Sequence, residues 1–304
     1  MLMRLLYILP LFHLIHSFPS KQPLCHDDES SALLQFKKSF IINKSVSLYD
    51  PIANHRFETW TLEGENSDCC FWDGVDCDED TGHVIGHDLS SSWLYGSINP
   101  NSTLFHLVHL QRLNLADNHF NYSQIPSQVG NLSKLTYLNL SHSAFFGQIP
   151  FEVSKLSQLS SLDLCCNYDL SSGIYFLQFK QLSLTSLVGN LTRIENLDLS
   201  GVNIFSTVPN IFANLSNLRS LYLHDCGMHG QFPIGIFKLP NLRVLDVKYN
   251  QDLTGSWPHF EYWSSRLEEI DLGSTGFTGE LPTSMGNFGS LIALNIGGCN
   301  FFNW

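Results

Sequence analysis

Across residues 132–159 apolar and polar positions recur in a fixed frame. Leu132, Leu135, Leu138 and Leu140 follow the spacing L-x-x-L-x-x-L-x-L, then Ser143, Phe145, Gly147, Ile149 and Pro150, before the frame restarts at Leu156 and Leu159. Within residues 137–141, Leu138 and Leu140 point one way while Tyr137, Asn139 and Ser141 point the other, which predicts a short strand with one buried face. Gly147 and Pro150 turn the chain and stop any ladder, because proline has no N–H. Val153 and Leu156 bring the return leg back to the core. One such coil cannot bury its leucines alone, whereas stacked coils can, at roughly 1.5–3 kcal/mol per leucine.

The frame recurs at Leu110, Leu135, Leu159, Ile194, Leu218, Leu242, Leu267 and Leu291, in steps of 25, 24, 35, 24, 24, 25 and 24 residues. A degenerate coil at residues 84–107 precedes them. This period is that of a leucine-rich repeat and predicts an α/β solenoid of about nine coils over residues 84–304, the last incomplete. Its concave side would be a parallel β-sheet and its convex side helical or 3-10 turns and loops. His87 stands where the first coil wants leucine, so that coil is expected to be loose. After each strand comes Ser92, Asn118, Ser143, Asn167, Val202, Cys226, Asn250, Thr275 or Cys299. All but Val202 offer a donor to carbonyls in the turn, which predicts a ladder from coil to coil, broken at Val202. The long third regular repeat, residues 159–193, lacks G-x-I-P. Its extra residues read as a longer outer arm on the convex side, with a ligand-contacting loop as the sharper alternative.

Residues 1–17 read as a secretory signal peptide, with Arg4 before an apolar run and cleavage at 17–20. The run is too short to span a bilayer. Residues 18–83 form an N-terminal cap. Within it, residues 28–40 predict an amphipathic helix whose Ala32, Leu33, Phe36 and Phe40 share a face. Cys25, Cys69, Cys70 and Cys77 fall in the cap of a secreted chain and predict two disulfides. Spacing leaves three pairings open, and adjacent Cys69 and Cys70 rarely join each other.

The arrangement of Cys25, a helix, Trp60 and DCCFWDGVDC resembles the cap of plant extracellular leucine-rich-repeat proteins. The L-x-G-x-I-P coils resemble the plant subclass of the repeat. The stretch NLTRIENLDLSGVNIFSTVP after the long coil is similar to the receptor-like proteins of plant immunity. The resemblance implies the pairs Cys25–Cys69 and Cys70–Cys77. It also implies an ectodomain followed by one membrane span and a short tail, with signalling through a partner receptor kinase. The chain stops in mid-coil at CNFFNW, so it is expected to be the N-terminal part of a longer protein, located on the outer side of the plasma membrane if full-length and secreted otherwise.

The net charge of −12 gives no footing for nucleic acid or an anionic membrane. The acidic run DCDEDTGH fails as a calcium loop, having Thr81 in place of the glycine and His87 in place of the bidentate glutamate. His106 and His109 read as a surface pair without a third ligand. No spacing predicts a catalytic motif, a metal site or a cofactor. Cys165, facing the concave side, and Cys166 read as free thiols, with a strained vicinal disulfide or a copy mutation as alternatives. Cys226 and Cys299 read as buried structural thiols. Sequons at Asn43, Asn101, Asn121, Asn131, Asn139, Asn190 and Asn214 read as glycan sites in a secreted chain.

Binding remains as the function. The outward column between the strand leucines is Asp88, Asn114, Asn139, Asp163, Asp198, Tyr222, Asp246, Asp271 and Asn295. Arg112, Tyr137, His224, Lys248 and Glu269 flank it. Tyr222, His224, Asp225, Asp246 and Lys248 combine an aromatic anchor with mixed charge, as a peptide or protein contact needs. The candidate function is recognition of a pathogen- or self-derived ligand. The alternatives are a secreted inhibitor of a microbial wall-degrading enzyme and a nonfunctional truncated copy.

Overall fold

A computed structural model describes residues 24–47, 56–63, 67–169, 174–179, 184–257, 266–281 and 289–302. The proposed signal peptide lies outside them. The expected solenoid is present. A ten-stranded sheet runs from an antiparallel strand, Val75–Cys77, through parallel strands from Val84–Asp88 to Ala293–Asn295. Each strand is only a few residues long because the frame allows two inward side chains before the chain must turn. The register aligns every residue of the outward column: Asp88 pairs with Asn114, Asn139 with Asp163, Asp198 with Tyr222, and Asp246 with Asp271. The strand leucines behind them, Leu113, Leu138, Leu162, Leu197, Leu221 and Leu245, form a continuous buried core.

The convex side is built from 3-10 turns, among them Ser127–Asn131, Phe151–Lys155, Asn210–Asn214 and Ile234–Lys238. Each of these four starts after a proline: Pro126, Pro150, Pro209 and Pro233 sit at φ between −67° and −69°. Proline suits that position, since its ring presets φ and its missing N–H has no partner to lose. Its carbonyl accepts the turn's first bond, as from Val153 to Pro150 at 3.1 Å. A smaller parallel sheet, Gly230–Gln231, Leu253–Ser256, Gly276–Glu280 and Asn300–Phe302, flanks the later coils.

The ladder holds the coil corners. The amide nitrogen of Asn250 donates to the carbonyls of Leu223, Val247 and Lys248 at 2.8–3.2 Å, and its oxygen accepts from the N–H groups of Cys226 and Met228. Asn118 and Asn167 repeat the pattern. Cys226 fills the role with a thiol donating to Leu199. At Val202 the break is harmless: the Leu164 carbonyl in the coil before it already accepts from Asn167.

The cap joins the solenoid through buried polar contacts. Its helix covers Asp27–Lys37 and buries Ala32, Leu33 and Phe36. It stops short of the predicted Phe40 because Phe40–Ile42 pairs as a strand with Leu94–Gly96. The Glu29 carboxylate, in the helix, accepts the Val84 N–H at 2.9 Å, and Thr103 Oγ1 donates to the Ala32 carbonyl. The disulfides are Cys25–Cys69 and Cys70–Cys77.

The expected loose first coil is instead tightly packed. His87 is 1% exposed and lies against Phe36 and Trp60, because cap aromatics fill the space that a leucine would share. Neither ring nitrogen has an aligned hydrogen bond, and burial pushes its pKa down to about 4. The long repeat also differs from expectation. Its extra residues begin beside the sheet rather than on the convex arm: Tyr168–Asp169 pairs antiparallel with Ile174–Tyr175, and Leu177–Gln178 then joins Gly147–Gln148. A helix, Leu184–Asn190, replaces the usual 3-10 turn on the outer arm.

Two outcomes follow for stability. Asn250→Ala strands three carbonyls and two N–H groups and is expected to cost about 3 kcal/mol in denaturant unfolding. His87 has a folded pKa below its unfolded value, so wild-type stability falls as pH drops from 6.5 through 4, by on the order of 3 kcal/mol. His87→Leu is expected to remove that part of the acid sensitivity, seen as a smaller loss of unfolding free energy between pH 7 and pH 4.

Candidate ligand-binding face

The concave face begins with a constraint on its own column. Where each strand ends, the N–H two residues on would have no partner. The outward Asp or Asn accepts it: Asp88 from Ser90, Asn114 from Ala116, Asn139 from Ser141, Asp163 from Cys165, Asp198 from Ser200, Asp246 from Lys248, Asp271 from Gly273 and Asn295 from Gly297, at 2.9–3.2 Å. One oxygen of each is therefore committed to ending the strand. Tyr222 interrupts the column with a side chain that cannot serve in this way.

Around Tyr222 the proposed residues assemble. Lys248 Nζ lies 2.9 Å from the Asp246 carboxylate and 3.3 Å from that of Asp271. His224 Nδ1 lies 3.3 Å from Asp246, an ion-pair approach without aligned hydrogen-bond geometry. The Asp246 contact raises the His224 pKa above its ordinary value, against burial. Burial raises the Asp246 carboxyl, but His224 and Lys248 together pull it below the usual range. At the other end of the sheet the Arg112 guanidinium sits 4.8 Å from the centre of the Tyr137 ring. Glu269 is on the outer column next to Val244 and is exposed.

Asp225 does not lie on the sheet with its neighbours. It occupies a left-handed turn at φ 53°, and its carboxylate meets the Tyr175 hydroxyl of the inserted hairpin, an interaction that, after burial, raises the tyrosine pKa. Tyr175 and Asp225 line a recess of about 190 Å³ with Asn203, Phe205 and Tyr249. Phe205 is 74% and Tyr249 58% exposed, an unusual exposure for two aromatics flanking one recess. Sequence reasoning missed Tyr175, Phe205 and Tyr249 because they lie outside the repeat strands of the main sheet, where the frame makes no statement.

Asp163 and Asp198 face each other in adjacent coils. Burial, and then the Asp163 charge, raise the Asp198 carboxyl to about 6. Cys165 and Cys166 are free thiols beside them. Cys165 is at the concave position as expected, but only 7% exposed. Its thiol hydrogen bond lowers the pKa of Cys166, which His142 lowers further, while the same pairing raises that of Cys165. Cys226 is buried, whereas Cys299 is half-buried at the end of the sheet.

His109 stacks not with His106 but on His83 at 3.7 Å, which stacks on His26 at 3.9 Å. Asp78 folds the acidic run of the cap into a turn by accepting from Asp80 and Thr81. Of the sequons, Asn101, Asn121, Asn131, Asn190 and Asn214 are exposed, and Asn43 and Asn139 are half-buried with side-chain oxygens already accepting hydrogen bonds. No helix among the described residues is long and apolar enough to cross a membrane.

A stack of parallel strands, proline-started outer turns and a two-disulfide cap defines a leucine-rich-repeat solenoid of the plant extracellular type. Residues 26–78 match the leucine rich repeat N-terminal domain and residues 109–132 match the leucine rich repeat. Among curated sequences the chain is similar to plant receptor-like proteins. It is 38% identical to Receptor-like protein 6 of Arabidopsis thaliana over 90% of this chain and 28% of that protein. It is 39% identical to Receptor-like protein Cf-9 of Solanum pimpinellifolium over 88% of this chain and 31% of that protein. The chain thus spans less than a third of the length of these two relatives. A plant ice-binding protein shares the fold, with a TM-score of 0.70 at 21% identity over 92% of this chain and 89% of that one.

The His224 pairing has a pH signature. Its folded pKa is raised, so its contribution is fully present below pH 6.5 and is lost as pH rises through the folded value. His224→Asn is therefore expected to lower stability by about 1 kcal/mol at pH 5.5 and by much less at pH 8.5, measured by thermal unfolding at the two pH values.

Proposed function

We propose that this chain is the N-terminal, ligand-recognising stretch of a receptor-like protein's extracellular part. In this reading it enters the secretory pathway, stands on the outer side of the plasma membrane in the full-length protein, and takes part in defence signalling through a partner kinase. The ligand is a peptide or protein of pathogen or self origin. The chain acts by binding, not catalysis.

One observation carries the reading. At Tyr222 the column of strand-ending Asp and Asn residues gives way to an aromatic, flanked by His224, Asp246 and Lys248. The inserted hairpin brings Tyr175 to Asp225, in a recess that Phe205 and Tyr249 of later coils also line. Elsewhere the column is occupied with its own backbone. Here a large amphipathic side chain is left for contact, as at the centres of protein interfaces. The similarity to receptor-like proteins supports the same reading.

The test uses the full-length receptor expressed in leaf tissue and challenged with microbial culture filtrate, with the oxidative burst as readout. Tyr222→Ala and Phe205→Ala are each expected to raise the filtrate dose for half-maximal response about 10- to 30-fold, the effect of losing about 1.4–2 kcal/mol. Secretion should be unchanged. A secreted chain that inhibits a microbial polygalacturonase, with no cellular response, would overturn the receptor reading in favour of an inhibitor.

A further inference from the structure

The pair Cys165 and Cys166 plays no part in the proposed recognition patch, yet the fold gives it company. The solenoid period places His142 in the coil before, at the same corner position as Cys166: both are in the left-handed region, at φ 51° and 60°. His142 Nε2 lies 3.8 Å from Cys165 Sγ. The ligand atoms of His142, Cys165 and Cys166 all fall within 4.8 Å of one another. So do those of Asp163, Cys165 and Asp198, so that Cys165 belongs to both groups.

We propose that His142, Cys165 and Cys166, completed by Asp163 or Asp198, form a binding site for one thiolate-preferring divalent cation of the zinc class on the concave face. Ligand atoms sharing a tetrahedral zinc, with bonds of about 2.0–2.3 Å, lie about 3.3–3.8 Å apart. The observed spacings reach that range with small side-chain rotations. Two thiolates and an imidazole select a borderline-soft ion and disfavour calcium and magnesium, which take oxygen ligands.

The electrostatic setting agrees. Asp246 and Asp271 share Lys248 as a counter-charge. Among the described residues Asp163 and Asp198 lie beside the two thiols, and the basic group that acts on Asp163 is His142 itself, whose pKa rises, against burial, in part through that carboxylate. An ion completed by Asp163 would tie together two successive coils, those of His142 and Cys165, and one completed by Asp198 would add a third. Neither thiol belongs to a C-x-x-C spacing, and the 23-residue gap from His142 to Cys165 is meaningful only once coils are stacked.

The secreted chain, with its cap disulfides intact, is stripped with a chelator and titrated with Co²⁺ and then with Zn²⁺. The expected result is one equivalent of cobalt with a thiolate-to-cobalt charge-transfer absorption, bleached by zinc. Zinc should also protect two of the four free thiols, Cys165 and Cys166 among Cys165, Cys166, Cys226 and Cys299, from a thiol reagent. Cys165→Ser, Cys166→Ser and His142→Ala are each expected to weaken binding at least about tenfold, while His109→Ala leaves it unchanged. Near-ultraviolet circular dichroism without metal establishes that each variant is folded. A variant that is not folded leaves the thiol-protection result on the wild-type chain as the deciding measurement. Cobalt bound without a thiolate band, binding that follows His109 instead, or a secreted chain in which Cys165 and Cys166 are joined as a disulfide would each overturn the proposal.

Discussion

Everything in this molecule depends on how the interior corners of the coils satisfy their backbone. A strand of two or three residues must turn at once, and its carbonyls then point into an apolar core where water cannot reach. An unpartnered carbonyl there would cost about 1–3 kcal/mol. The buried side chains of Asn118, Asn167 and Asn250 each reach several carbonyls, including one in the preceding coil. Ser143, Cys226 and Cys299 reach a carbonyl of the preceding coil with a single donor, and Thr275 donates to Leu272 within its own coil. Corners pinned in this way hold successive coils in one register, and that register turns scattered residues into columns.

The concave face inherits a second rule from the same geometry. Its Asp and Asn column is acidic, but each member accepts the N–H that the ending strand leaves open. Acidity here is partly architecture. The proposed recognition patch lies where the column departs from that duty, at Tyr222, and where the long repeat brings Tyr175 against Asp225. Charge is also unevenly answered along the sheet. Lys248 serves two aspartates at one end, while Asp163 and Asp198 face each other in the middle.

The cap shows how a neighbour changes the meaning of a residue. In a repeat considered alone, His87 is a defect. Against Phe36 and Trp60 it becomes a buried wall of the first coil, held neutral by desolvation. The apolar face of the cap helix continued on paper to Phe40, but the three residues Phe40–Ile42 found a strand partner at Leu94–Gly96. Pairing with a distant segment outweighed local periodicity.

The period of the leucines determined the solenoid, its coil positions, the corner ladder and the full outward column, because each is a short-range consequence of one repeated frame. Residues such as Tyr222, His224, Asp246 and Lys248 could be placed on one face for the same reason. Only the tertiary structure decided what lies between frames. The hairpin's path beside the sheet, the recess around Phe205 and Tyr249, the His26–His83–His109 stack and the meeting of His142 with Cys165 and Cys166 all join residues from different coils or from insertions. Periodicity gives the direction in which a side chain leaves a strand. It does not give the course of an insertion or the side chain that fills the neighbouring corner one coil away.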